Sequence, residues 1–223
     1  MSKTTGRRLL VAVFILLACL SILFVSLFHL FGSGNQSTGE IRVACVGDSL
    51  TEGTTYPNVL STLLGKNYSI GNFGAGGASI SLESEKPYVR QPEFKEATIF
   101  LPNIVIIMLG TNDATSILTE HILNFTSDYE TLIGAFQAFS SKPEIWLVKP
   151  PPIFDNGTGL STTYFVQQVI PRIEQVANET SLPLIDVYTP LAKHPEYFSD
   201  GVHPNDEGAK IIATTIFNAI TER

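Results

Sequence analysis

Five residues of this chain are of the right type and spacing to carry acyl-transfer chemistry. Ser49 lies in "CVGDSLTEG", Cys45 to Gly53, straight after a short apolar run. A serine hydroxyl at the end of a buried strand becomes a nucleophile when a base reaches it. The segment "SDGVHPND", Ser199 to Asp206, supplies a base, because Asp200 and His203 are three apart. At that spacing the carboxylate can hold the near ring nitrogen while the other nitrogen faces a serine. Asn112, in "LGTNDA", could offer its side-chain amide to a developing oxyanion, and Gly77, in "NFGAGGAS", its backbone N–H.

Each segment also has an ordinary reading. Gly-Asp-Ser and Thr-Asn-Asp are common turn residues. Asn205 or Asp206 could cap a helix that His203 merely precedes. The other histidines compete poorly. His29 sits in an apolar run, His121 has no carboxylate in an obvious orienting position, and His194 has Glu196 nearby but no strand leading into it. The glycines invite a dinucleotide reading, which fails. A G-x-G-x-x-G motif starting at Gly74 needs Gly or Ala at position 79, which is Ser79.

The elements that must position these residues alternate. Strands are expected at Ile41–Val46, Tyr68–Phe73, Asn103–Leu109, Glu144–Lys149 and Pro183–Tyr188. Helices are expected at Tyr56–Lys66, Ile117–Ser140, Tyr164–Thr180 and Asp206–Thr221. The alternation implies an α/β fold, a three-layer sandwich around a five-stranded parallel sheet in the flavodoxin-like order 2-1-3-4-5. Such sheets bind ligands at the carboxyl ends of their strands. The Ser49, Gly77 and Asn112 motifs each follow one of the first three strands.

Taken together, "GDSL", the glycine turn after "N-x-G", "GTND" and "DxxH" resemble the four blocks of the GDSL, or SGNH, hydrolase superfamily, in that order from Ile41 to Thr221. The resemblance implies Ser49 as nucleophile, His203 as base and Asp200 as its orienting partner. It implies Ser49, Gly77 and Asn112 as oxyanion donors, and Gly74 also matches a family glycine. "TYPNVL", "EKPYVRQPEF" and "NIVIIMLGTND" look most like the sialate O-acetylesterase-like and carbohydrate-esterase members. "VKPPPIF" looks like the family's loop near the acyl pocket. The implied activity is hydrolysis of short esters, acetyl above all, on carbohydrates, with no metal and no cofactor. The alternatives are a lysophospholipase or acyl thioesterase, and a glycan-binding protein without turnover.

The rest of the chain bears on location. Leu9–Phe31 contains no Asp, Glu, Lys or Arg. As a helix it would be about 35 Å long, against a bilayer core of roughly 30 Å. It exceeds the apolar region of a cleavable signal. With Lys3, Arg7 and Arg8 before it, it is expected to be a transmembrane signal anchor. Residues 1–8 would then be cytoplasmic, 32–40 a linker, and 41–223 an esterase domain outside the cytoplasm. "LLAC", ending at Cys19, would suit lipid attachment, but apolar residues continue beyond it. Only one cysteine besides Cys19 is present, Cys45, so no disulfide within the domain is expected. Asn-x-Ser/Thr sequons at Asn35, Asn67, Asn124, Asn156 and Asn178 suit an exported glycoprotein. Removing residues 1–40 takes away three bases and one acid, moving the formal charge from −7 to −9. That balance argues against nucleic acid or anionic lipid headgroups as partners; the family resemblance implies a small-molecule or glycan ester as the partner.

Overall fold

Most strands are built on short apolar runs, and their charged residues stand at or beside the strand ends. The computed structural model describes residues 39–115, 121–154 and 157–222, and Glu40–Arg223 is one compact unit. Its strands are β1 (Ile41–Gly47), β2 (Tyr68–Gly74), β3 (Ile104–Met108), β4 (Glu144–Lys149) and β5 (Leu184–Asp186). All pair in parallel, in the expected order β2-β1-β3-β4-β5. Val43 to Val46 and Val105 to Met108 are wholly buried, as strands covered on both faces must be. Cys45 is among them, a free thiol whose pKa burial pushes up to about 12. It packs as a small apolar residue.

Helices cover the sheet on both sides. On one face α2 (Tyr56–Leu64) packs against α8 (Asp206–Thr221). On the other lie α3 (Pro92–Phe100), α4 (Phe125–Gln137) and α6 (Ile170–Thr180). Phe94 of α3 meets Phe136 of α4 edge-on, with ring centroids 5.2 Å apart. A single turn, α1 (Ser49–Glu52), follows β1, and α7 (Tyr188–Leu191) follows β5.

Several boundaries differ from expectation for local reasons. Tyr164–Thr180 is not one helix. A short α5 (Thr162–Tyr164) passes through a π turn, Phe165–Val169, before α6 begins. Pro171 has no N–H to continue the regular ladder, and its ring crowds the carbonyl four residues back. β5 stops at Asp186 because that side chain accepts from the N–H and hydroxyl of Thr189, at 2.9 and 2.8 Å, and turns the chain into α7. β3 starts after Asn103, whose side chain accepts the Arg42 N–H at 2.9 Å. Helix α3 was not expected; its apolar residues follow no clean helical stripe. The run Leu9–Phe31 and the sequons at Asn35 and Asn156 lie outside the described residues, as do residues 116–120. Among the described residues no helix is long and apolar enough to cross a membrane.

Candidate active site

Register brings the first three motifs to one edge. Gly47 is paired with Gly74 on one side and Met108 on the other. The chain therefore leaves β1, β2 and β3 at the same level, into Asp48-Ser49, Ala75–Gly77 and Leu109–Asn112. Two glycines make the first turn possible. A Cβ at Gly47 would lie 2.8 Å from the Met108 carbonyl oxygen and would collide with the Thr51 hydroxyl. A Cβ at Gly74 would run into the backbone of Glu52. The turn of α1 thus presses directly onto β1 and β2.

Asp48, fully buried, caps α1 by accepting the Leu50 N–H at 2.9 Å. Its other oxygen, Oδ2, is buried with no hydrogen-bond partner among the described residues. Ser49 opens the helix half-buried, its Oγ pointed outward from this wired base.

Across the site, the Ser199–Asn205 loop supplies the acid-base pair. His203 Nε2 lies 2.9 Å from Ser49 Oγ, and His203 Nδ1 lies 2.7 Å from Asp200 Oδ2. Asp200 Oδ1 accepts the backbone N–H groups of Val202 and His203, at 2.9 and 2.7 Å. Burial pushes the Asp200 pKa up, but the hydrogen bonds from His203 and Val202 outweigh it and hold the carboxyl at about 2. An ionised Asp200 accepts from a protonated Nδ1, and in that tautomer Nε2 faces Ser49 Oγ as an acceptor. Asn205, one of the two expected caps, takes the N–H groups of Glu207 and Gly208 and starts α8. His203 is therefore not spent on the helix start.

The oxyanion candidates also converge. Gly77 takes φ +75°, the left-handed region that suits glycine. Among the described residues neither its N–H nor that of Ser49 has an acceptor. The N–H of Gly74, by contrast, is taken by Asn72 Oδ1 at 3.0 Å, so Gly74 is a packing wedge and not a free donor. Asn112 Nδ2 donates one hydrogen to the Ala78 carbonyl at 2.9 Å, which fixes the amide and leaves its second hydrogen. Gly77 and Asn112 share a cavity of about 350 Å³ with Ser79, Ser84, Glu85, Lys86, Thr115 and Leu160.

Other residues fall elsewhere. His194 pairs with Glu196 at 2.8 Å and stacks on Tyr197, with no bond to Ser49. The "VKPPPIF" prolines are buried. Their loop braces the acid-base loop, since the Phe154 N–H donates to the Gly201 carbonyl at 2.8 Å and Phe154 meets Phe198 edge-on.

Sequence reasoning missed Asp113. It is buried and accepts the N–H groups of Ile80 and Ser81, both at 2.9 Å, so it pins the segment that follows Gly77. Burial, opposed by these bonds, pushes its pKa up to about 7. Burial likewise pushes Asp48 up to about 7; the Leu50 N–H opposes this, and the charge of Asp113 adds to it. The signal for Asp113 was its place directly after Asn112, but a buried carboxylate and a turn aspartate look alike in sequence.

Residues 45–211 match the GDSL-like Lipase/Acylhydrolase family. Among curated proteins the chain is similar to an acetylxylan esterase of Xylanibacter ruminicola, 30% identical over 206 residues, 81% of this chain and 43% of that protein. It is also similar to GDSL esterase/lipase WDL1 of Oryza sativa subsp. japonica, 21% identical over 141 residues, 54% of each. The chain thus spans about half the length of the curated relatives it matches. Among solved structures, the fold is that of Est24, a carbohydrate acetylesterase from Sinorhizobium meliloti, with TM-score 0.62 and 19% identity over 82% of this chain and 99% of that one. A GDSL-like lipase from Bacteroides thetaiotaomicron gives TM-score 0.63 and 25% identity, over 82% and 89%.

Proposed function

From the premise that this chain belongs to the GDSL-like Lipase/Acylhydrolase family and is an ester hydrolase, we propose that it removes acetyl groups from carbohydrates through Ser49, His203 and Asp200. The observation that carries the proposal is the hydrogen-bonded line from Asp200 through His203 to Ser49, across 154 residues of sequence. His203 Nε2 takes the Ser49 proton as Oγ attacks the ester carbonyl. The oxyanion is received by the N–H groups of Ser49 and Gly77 and the second Nδ2 hydrogen of Asn112. His203 then protonates the leaving alcohol and activates a water that releases acetate. Asp200 holds the imidazole and stabilises its charged form without taking the proton.

Support for a polar alcohol comes from the cavity beside Gly77 and Asn112, whose lining includes Ser79, Ser84, Thr115, Glu85 and Lys86. The names of the acetylxylan esterase and the carbohydrate acetylesterase point the same way. We further propose that Leu9–Phe31 anchors the enzyme with its catalytic domain outside the cytoplasm, on the strength of its length and the basic residues before it. Mass analysis of protein from native membranes should find this segment still attached; a chain starting near Gly32 or lipidated at Cys19 would overturn the anchor.

The test of the activity is a substrate panel of acetylated sugars, lysophospholipids and acyl thioesters, with fluorophosphonate labelling alongside. Acetylated sugars should turn over fastest, and the probe should label the wild type at Ser49 but not Ser49→Ala. Faster release of long acyl chains would make the enzyme a lysophospholipase. Equal labelling of the variant would remove Ser49 as nucleophile.

A further inference from the structure

Lys86 is not part of the Ser49–His203–Asp200 line, yet it lies against the loop that carries Gly77. Its Nζ donates a hydrogen bond to the Gly76 carbonyl oxygen. That carbonyl belongs to the same peptide unit as the Gly77 N–H. In a trans peptide the C=O and N–H point in opposite directions from one rigid plane. A cation on the oxygen therefore fixes where the N–H points. It also draws electron density toward the oxygen and makes the N–H a stronger donor.

The backbone of Lys86 is itself tied to this loop. The Ser79 N–H donates to the Lys86 carbonyl at 3.1 Å, and the Tyr88 N–H donates to the Ser79 carbonyl at 2.9 Å. Ser79 and Pro87 form an isolated parallel bridge. Pro87 and Tyr88 are buried, so the strap cannot drift. From the other side Asn112 holds the Ala78 carbonyl. The loop from Ala75 to Ser79 is thus gripped twice, once by an oxyanion donor and once by an ammonium. The carboxylate of Glu52 fills the place a Gly76 side chain would take, and Glu85 lines the cavity beside Gly77. An acidic neighbour weakens an oxyanion site, and the Lys86 cation offsets it.

We propose that Lys86 is a positioning residue for ester hydrolysis, acting through the Gly76–Gly77 peptide to orient and polarise the Gly77 N–H toward the oxyanion. The inference rests on the assignment of Gly77 as an oxyanion donor. The Lys86 ammonium stands one peptide unit from the oxyanion, roughly 7 Å, where for so exposed a charge, at an effective dielectric of about 35–80, a unit charge changes a rate by about 3- to 10-fold.

The test compares Lys86→Met and Lys86→Arg in the full chain, on 4-nitrophenyl acetate, which carries no sugar for Lys86 to touch. Lys86→Met keeps the aliphatic stem and loses the charge. Its kcat should fall about 3- to 10-fold, with KM within about twofold and an unchanged melting temperature. Lys86→Arg keeps a charged donor and should recover most of the rate. Affinity for a boronic acid that forms a tetrahedral adduct on the serine should weaken in Lys86→Met by the same factor as kcat/KM. A loss carried by KM would make Lys86 a substrate contact, and equal losses in both variants would make it structural; either overturns the proposal, as does a wild-type kcat in Lys86→Met. Ser49→Ala, run alongside, separates the two readings. If it is inactive while Lys86→Met is unaffected, the Lys86 inference fails alone. If Ser49→Ala still turns over, the serine mechanism that gives Gly77 an oxyanion to bind fails, and the assignment beneath the inference fails with it.

Discussion

Two groups of carboxylates flank Ser49, and their surroundings drive them in opposite directions. Beneath it, Asp48 and Asp113 are buried and have their pKa values pushed up to about 7. Beside it, Asp200 is two-fifths exposed and is held at about 2. The side chain is the same, and all three accept backbone N–H groups. The difference lies in what else is present. Asp200 has water and an imidazole proton; Asp48 has an unpartnered oxygen in an apolar core. A carboxylate that must stay charged to hold a histidine is placed where charge is inexpensive. Carboxylates that shape the backbone under the nucleophile are placed where packing is tight and charge is costly.

The comparison can be broken most forcefully at the exposed arm. His203→Ala should lower kcat by about 10⁴-fold or more while the melting temperature stays near wild type, because the loop is held by backbone bonds and not by the imidazole. Steady-state kinetics beside a thermal melt checks this, and a collapsed melt would mean the loop depends on the ring. Asp200→Asn should cost roughly 10²- to 10⁴-fold in kcat, since an amide cannot hold the required tautomer as a carboxylate does. An undiminished rate would place the orienting role elsewhere.

Asn112→Ala should lower kcat by about 10²- to 10³-fold with KM near wild type, the signature of a group used only in the transition state. A rise in KM at constant kcat would assign it to ground-state binding. The smallest effect sharpens the buried side. Asp48 and Asp113 have raised pKa values in the folded protein, so folding favours their protonated forms. That stabilisation is complete below about pH 4 and is lost as pH rises through about 7, by at most about 1.4 kcal/mol per pH unit for each proton released. Urea unfolding at pH 5 and pH 8 should show wild type losing stability across the interval and Asp48→Asn losing less. Identical slopes would mean that Asp48 is ionised throughout.

Much of the sheet could be read along the chain because it is written in local pattern. Ile41–Gly47 and Ile104–Met108 are short apolar runs, and no amphipathic helix has that composition. α8 announced itself by Asn205 and the acidic first turn after it. The less visible elements depend on distant partners. α3 has no strong apolar stripe, and it is helical because Phe94 meets Phe136 and Phe139, some forty residues on. The break at Pro171 could be anticipated as a disturbance, but the π turn needed the packing of Phe165 and Val169 to select it.

The amino-acid sequence by itself determined which residues could do the chemistry. Ser49, Gly77, Asn112, Asp200 and His203 have reactive or donating groups, and their order along alternating strands and helices places most of them on one sheet edge. Residue type and strand periodicity are local properties, so they survive in one dimension. Tertiary structure alone decided which of the similar candidates are used. Gly74 and Gly77 differ only in that Asn72 consumes the first N–H. His194 and His203 each have a carboxylate nearby, and only the second reaches a serine. Asp48 and Asp200 are both aspartates beside loop glycines, and burial sends one up and the other down. Hydrogen-bond saturation and desolvation depend on neighbours far away in sequence, and those neighbours exist only once the chain has folded.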